Sequence, residues 1–340
     1  MSRTVRIGEI DVPGRVWLAP MTGVSDLPFR RAAASLGAAY VATEMVASEH
    51  FAAGRADMVR RAAVGEGLPL MVVQLVGAEP RWITAAARLA REAGAHLIDL
   101  NFGCPAKSVT GIACGSALMR EPVLAASMVR AAVEAQDAPV TVKIRLGWDE
   151  ASINAAEFAA ATEEAGAAAV TVHGRTRSQF YGEEADWSAI AKVKDAVGVP
   201  VIVNGDVIDA ASARSALEAS KADAVMIGRG AIGAPWLATE IEADVAGQPF
   251  RRPSREEIGG IILQQLRGSV DLYGASIGVR MFRKHLVRYI EGEADPVAPS
   301  DFDREARRAR RSKFCRIEDP ADLARAIEAA WAEPPSRIAA

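Results

Sequence analysis

The sequence predicts an α/β fold: a (β/α)8 TIM barrel followed by a small C-terminal all-helical domain. Three observations carry this. Eight short apolar runs recur through the first 230 residues. Amphipathic helical stretches follow most of them, and the whole series fits in about 245 residues. After GQPFRRPSREE (247–257) the strand pattern stops and only helical stretches follow.

The runs are RVWLAP (15–20), AYVATE (39–44), PLMVVQL (69–75), LIDLN (97–101), VTVKIR (140–145), AVTVHG (169–174), VIVNGD (201–206) and AVMIGR (224–229). They are rich in β-branched residues and mostly lack strict polar alternation, as expected of strands buried on both faces. Between them, PRWITAAARLAREAG (80–94) opens on Pro80 and stops at Gly94, the usual punctuation of a helix. NAAEFAAATEEAG (154–166) and DWSAIAKVKDAVG (186–198) also end in Gly. An open doubly wound sheet is the alternative, but no G-x-G-x-x-G follows the first strand. Beyond residue 250, IGGIILQQLRGSVDLYG (258–274) and GVRMFRKHLVRYIEG (278–292) read as helices. The expected division is a barrel over 1–250 and a helical bundle over 251–335.

No apolar stretch approaches the roughly 18 residues of a membrane span. The start, MSRTVRIGEIDVPG, lacks a secretory apolar segment. The expectation is a cytoplasmic chain with no membrane partner, acting as a monomer. Three cysteines in 340 residues argue against a disulfide framework. Cys104 and Cys114 have no His between them, so no metal site is expected either. Cys315, in an arginine-rich helix, reads as incidental.

The net charge of −3 alone argues against a general nucleic-acid binder, but it hides an asymmetry. Residues 251–340 carry 17 Lys/Arg against 14 Asp/Glu, while residues 1–250 carry 23 against 29. REARRARRSKFCR, Arg304 to Arg316, has seven basic residues and one acid. A solvated helix face is the ordinary reading of such a run. A basic patch behind an acidic body also suits an anionic polymer.

In a barrel of this kind, the carboxyl ends of the strands form the functional rim. Polar residues at those ends are therefore informative. The first run ends in Ala19-Pro20-Met21 and the third in Gln74. The fourth ends in Asn101 and leads to Cys104 in a Gly-Cys-Pro turn. The fifth carries Lys143 and Arg145, the sixth His173 and Arg175. The seventh ends in Asn204-Gly205-Asp206, the eighth in Gly228-Arg229-Gly230. An unpaired polar group near a core costs about 1–3 kcal/mol, so this many suggest a ligand. Loops after the last two strands commonly bind phosphate through backbone N–H groups. Lys143 suits an anionic or electron-rich partner. Together these residues suit a phosphorylated planar cofactor such as FMN, although many other barrels also bind phosphate. Lys143 would then meet the anionic edge of the reduced ring, and Gln74 its pyrimidine edge.

LAPMTGVSDLPFR (18–30), VQL (73–75), DLNFGCPAKSV (99–109), GSALM (115–119), VKIRLGW (142–148), VHGRTR (172–177), VNGD (203–206) and MIGRGAIGAPW (226–236) lie in register along the chain. With GVRMFRKH (278–285), this set resembles the tRNA-dihydrouridine synthases, most of all their bacterial B-type subgroup. The ordered set around GCPAK is the specific part.

The resemblance implies an FMN-binding barrel and a helical RNA-binding domain. It implies reduction of the C5=C6 bond of selected tRNA uridines by NADPH, with NADH as the alternative reductant. Carried over by motif, the cofactor residues are Ala19, Pro20, Met21, Gln74, Lys143, His173, Asn204, Gly205, Asp206, Gly228 and Arg229. Cys104 matches the proton donor to uracil C5. Asn101, Arg145 and Arg175 are expected at the uracil, and Arg280, Arg283 and Lys284 at the tRNA. Cys114 reads as packing. Gly230 stands where subgroup members often have Ala. The Arg304–Arg316 run exceeds what the resemblance requires and receives no role. Two rivals remain: an FMN-dependent oxidoreductase of free pyrimidines, of the dihydroorotate dehydrogenase type, and a non-catalytic RNA-binding regulator. The helical tail speaks against the first, and the intact strand-end set against the second.

Overall fold

The computed structural model describes residues 4–65, 68–111, 113–292 and 301–332. Eight parallel strands close into a barrel. They are β3 (Val16–Leu18), β4 (Val41–Ala42), β6 (Met71–Val76), β7 (Leu97–Asn101), β8 (Val140–Arg145), β9 (Ala169–His173), β10 (Val201–Asn204) and β11 (Ala224–Ile227). The circuit closes through Met226↔Trp17 between β11 and β3 and through Val41↔Met71 between β4 and β6. Every expected strand is present, and helices cover the outside.

The first two strands are shorter than expected. Pro20 has no N–H for the ladder, so β3 ends early and Ala19 N makes the last bond, to Ile227 O at 2.8 Å. The second run breaks after Ala42, and a further short strand, β5 (Val46–Ala47), resumes against the far half of β6 at Leu75 and Val76. The break turns Thr43 and Glu44 into the protein, where both are buried.

A hairpin of β1 (Thr4–Ile7) and β2 (Ile10–Pro13) precedes the barrel, joined by Gly8 at φ +56° and Glu9. Its buried Val5, Ile7 and Val12 pack with Trp17, Tyr40 and Leu97, closing the amino-terminal mouth. The larger core lies between the strands and the outer helices. Pro80–Glu92 shows the logic: Pro opens it, Ile83, Ala86, Ala87 and Ala90 face the barrel, and Gly94 follows at φ +100°. The stretch expected as a helix over 186–198 narrows to a 3₁₀ turn at Ser188–Ile190 and a helix at Ala191–Ala196.

Four helices follow the barrel: Arg255–Tyr273, Ala275–Gly292, Asp301–Cys315 and Pro320–Ala332. Ser254 caps the first in a capping box with Glu257. Ile262, Leu266, Phe282, Leu286, Phe314 and Leu323 give these helices a core of their own. Gly278 lets the first two cross closely; a Cβ there would lie 2.5 Å from Ser269 O. The bundle sits on the helix Leu27–Ser35 after β3 and on the loop after β11, where a Cβ on Gly233 would strike Arg288.

Candidate active site

A cleft of about 520 Å³ opens over the carboxyl ends of the strands. Its floor is polar because β6, β7, β8 and β10 carry side chains that bond to one another across the strands. On β7, buried Asp99 accepts from Gln74 Nε2 and from Thr141 Oγ1, both at 2.6 Å. Burial lifts the Asp99 carboxyl to about 6. Gln74 Oε1 in turn accepts from Asn101 Nδ2 at 2.8 Å. Lys143 Nζ donates to Asn204 Oδ1 at 2.8 Å, and Asn204 Nδ2 donates to Met226 O. Desolvation, helped by the neighbouring Arg145, lowers the Lys143 ammonium to about 8.

The Gly-Cys-Pro turn is held from both sides. Asn101 Oδ1 accepts from the N–H groups of Gly103 and Cys104, at 3.1 and 2.9 Å. The Cys104 carbonyl accepts from Ser116 N and Ser116 Oγ. Arg145 Nε donates to Gly103 O at 2.8 Å. Gly115, at φ +59°, lies beneath; a Cβ there would come 2.8 Å from Cys104 O. The thiol therefore has a fixed place in the cleft wall. Burial raises its pKa, only partly offset by Arg145 and Lys143, so it keeps its proton at neutral pH. Cys114 lies buried outside the cleft, its thiol pushed up to about 11 by burial.

On the far side, Arg175 is 2% exposed and anchors the loop after β9. It donates to Gly182 O, Glu183 O and Asp206 Oδ2, the last at 2.5 Å. A further guanidinium N–H faces His173 Nε2 at 3.2 Å. Arginine has no acceptor, so that nitrogen accepts and the ring proton sits on Nδ1. Burial and the surrounding cations hold His173 well below its ordinary pKa, hence neutral. Gly205, at φ +117°, has no room for a Cβ, which would lie 2.9 Å from the His173 ring. Gly228 is the opposite case, since a Cβ there would meet only Met21 Sδ at 4.0 Å. Arg229 extends from the rim, 61% exposed, 3.8 Å from Asp206.

The cleft thus brings together Cys104, all eleven expected cofactor residues, and Asn101, Arg145 and Arg175. The last three spend most of their donors and acceptors on the protein; Arg145 also bonds Thr176 O. Arg280, Arg283 and Lys284 lie apart from the cleft, on Ala275–Gly292. Arg280 is exposed, while Arg283 donates to Ile317 O inside the bundle. Lys284 turns toward the loop after β3, its Nζ 3.4 Å from where a Gly23 Cβ would stand. The sequence reading missed Asp99 and Tyr181. Tyr181 lines the cleft with its ring under the guanidinium groups of both Arg145 and Arg229. Among the described residues, no group of three or more His, Cys, Asp or Glu could hold a metal ion. None of their helices is long and apolar enough to cross a membrane.

Fold and cleft define a (β/α)8-barrel protein with its polar machinery at the carboxyl ends of the strands. Solved barrels share this architecture. Morphinone reductase aligns with a TM-score of 0.54 at 16% identity, over 75% of this chain and 91% of its own. An old yellow enzyme homologue from Zymomonas mobilis aligns at 0.53 and 14%, over 75% and 95%. At such identities the likeness is one of fold. The sequence goes further: the chain belongs to the dihydrouridine synthase (Dus) family, which it matches over residues 17–324. A probable tRNA-dihydrouridine synthase of Rhodobacter capsulatus is 44% identical over 334 residues, 97% of this chain and 98% of that one. The tRNA-dihydrouridine synthase B of Pseudomonas putida is 42% identical over 288 residues, covering 84% and 85%.

Proposed function

We propose that this chain reduces the C5=C6 bond of uridines in tRNA to 5,6-dihydrouridine, with FMN in the cleft and NADPH or NADH as reductant. The observation that carries the proposal is a single one: a proton-bearing thiol, a lysine without a carboxylate at bonding distance among the described residues, and two glycine-bearing loops share one cleft. Its volume lies within the range of small-molecule and cofactor sites. Lys143 and His173, with Gln74 beside them, would hold the isoalloxazine, and Gly205, Gly228 and Arg229 the phosphate. Asp206 keeps Arg175 in place behind that loop. When bound, FMN supplies hydride to uracil C6.

The remaining steps belong to the chain. Cys104 holds a proton at Sγ and gives it to C5, completing the reduction. Asn101, Arg145 and Ser116 keep that sulfur in place. Tyr181 and the unspent N–H groups of Asn101 and Arg175 face the base. A uridine must leave its RNA stack to enter so enclosed a site. The helices of 251–335, with Arg280 outermost of the three cations expected at tRNA, hold the RNA while it does.

Purified protein should be yellow, its flavin should be reduced by NADPH, and unmodified tRNA should reoxidise it with dihydrouridine appearing in the RNA. A flavoprotein inert toward tRNA but reoxidised by a free pyrimidine would overturn the proposal.

A further inference from the structure

The loops after β7, β8 and β9 meet in a feature that the proposed chemistry does not use. Trp148 follows β8 and stands between two arginines. The Arg120 guanidinium lies 4.0 Å from the indole ring centre and that of Arg177 lies 4.4 Å from it. Arg120 ends the 3₁₀ segment Gly115–Arg120, whose Ser116 holds Cys104 in place. Arg177 belongs to the loop after β9, stitched to the Trp148 loop by Arg177 N→Gly147 O and Ser178 N→Trp148 O. None of the three lines the cleft, and Arg120 is exposed.

Neither guanidinium has an acid partner or an acceptor among the described residues, and the Arg177 Nε is buried without an acceptor. Arginines with nothing else to do on a surface usually reach into solvent. These two instead lie against an indole, each guanidinium carbon within 4.4 Å of the ring centre, which restricts where their outer N–H groups can point. Next to Arg177, Phe180 and Tyr181 expose 46% and 47% of their surface in an edge-to-face pair. Fixed cations beside exposed rings are the ordinary means of holding single-stranded nucleic acid, through phosphate and base respectively.

The position adds an independent reason. Around the closed barrel β8 stands diametrically opposite β3. The C-terminal helices rest on the β3 side, so the arginine pair faces them across the cleft. RNA held by those helices, with one base in the cleft, must send its strand out over the far rim.

We propose that Arg120 and Arg177, clamped on Trp148, form a second RNA contact that takes the phosphates of the strand leaving the cleft. The proposal rests on the tRNA reading above and names where the far side of that substrate lies. A competing role is purely internal, with the stack only stapling three loops behind Cys104.

The test measures binding of an unmodified tRNA transcript against KCl concentration. Each lost phosphate contact removes about 0.7–0.9 from the slope of log affinity against log salt. The double variant Arg120→Gln/Arg177→Gln should lose about 1.4–1.8 in slope and bind roughly tenfold or more weakly at low salt. Its flavin content and flavin reduction by NADPH should match wild type. Arg130→Gln, on the outer helix Pro122–Ala135, should leave the slope unchanged. A wild-type slope in the double variant, with slower reoxidation by tRNA, would establish the staple and end the proposal. Phenylglyoxal labelling of the wild-type holoenzyme decides the matter without any variant. There tRNA should protect Arg120 and Arg177 but not Arg130, and equal labelling with and without tRNA overturns the contact. If wild type binds no tRNA at all, the functional reading itself fails and this contact with it.

Discussion

Two lysines, Lys143 in the cleft and Lys284 where the helices meet the barrel, have the same problem and different solutions. Both are partly buried, and for both desolvation lowers the pKa. Lys284 lies among acids. Asp26 and Glu44 act on it from the loop after β3 and the break after β4, and both pull its pKa back up. Those acids are themselves tied down. Asp26 caps Phe29 N and accepts from Tyr273 OH, each at 3.2 Å, and Glu44 accepts from Gly23 N. Among the described residues Lys143 has only a neutral amide at bonding distance, with Asp99 further off and already bonded to Gln74 and Thr141. At the junction the charges of Lys284, Asp26 and Glu44 act on one another. In the cleft the Lys143 charge is poorly compensated, at a cost in stability. Substitutions in the cleft should therefore change chemistry while sparing the fold, and those at the junction should do the reverse.

The largest effect belongs to Cys104→Ala. NADPH should reduce the flavin as before, because that half-reaction needs no proton from the cleft wall. Reoxidation by tRNA should fall by about 10²–10⁴-fold, the usual cost of a lost general acid. Cys114→Ala should leave both halves intact. Single-turnover stopped flow measures each separately. Equal reoxidation in Cys104→Ala and wild type would remove the cleft's most specific residue from the chemistry.

Lys143→Met comes next. The loss of a charged hydrogen-bond donor typically costs about 1.5–3 kcal/mol, or roughly 10–100-fold in flavin affinity. A pH series sharpens this. Burial lowers the Lys143 ammonium to about 8, and an anionic ligand favours the protonated form. Above about pH 8, binding must take up that proton, so wild-type affinity for FMN should fall by up to about tenfold per pH unit. The Met variant should lack this alkaline limb. Flavin-fluorescence quenching from pH 6 to 10 provides the curve, and a limb that survives in the variant would assign the titration to another group.

The cleft was legible because several of the apolar runs carry a polar residue at or near their carboxyl ends, and the barrel makes those ends converge. Lys143 and Asn204 illustrate this: their registers follow from β8, β9 and β10 alone. Asp99 was not legible as a floor residue. It sits inside the run LIDLN, and its partners are 25 and 42 positions away. Arg145 and Arg175 were found as positions but not as builders, since a sequence does not say which way a long side chain folds. The same limit applies to the basic run. Arg310 lies over Trp331 and bonds Ala330 O, and Arg311 pairs with Glu291, while the Arg304 side chain falls outside the described residues. The hairpin at the start has readable alternation in Val5, Ile7, Ile10 and Val12, but only the closed barrel shows what it covers.

The smallest effect tests the junction. Lys284→Met should leave flavin affinity and its pH dependence at wild-type values, because Lys284 is not among the residues that line the cleft. Its effect should appear in stability instead, and only at some pH values. Burial, with Glu44 adding to it, already raises Asp26 to about 6, and Lys284 is one of the groups holding it down. Without the lysine, Asp26 rises further. A carboxyl whose folded pKa exceeds its unfolded value adds stability below the unfolded pKa, and that contribution is lost as pH rises through the folded pKa. At pH 4 Asp26 is largely protonated in the folded state of both proteins, so their melting temperatures should nearly coincide. Above pH 6 wild type ionises Asp26 with Lys284 acting on it, and the variant must ionise it without that cation or keep it protonated. There the variant should melt lower by about 2–4 °C, the shift that roughly 1 kcal/mol produces in a domain of this size class. Thermal denaturation of the flavin-loaded proteins at pH 4, 6 and 8 gives the comparison. A deficit that is constant across the series would mean that Lys284 contributes through its aliphatic packing, and that its charge does not close the junction.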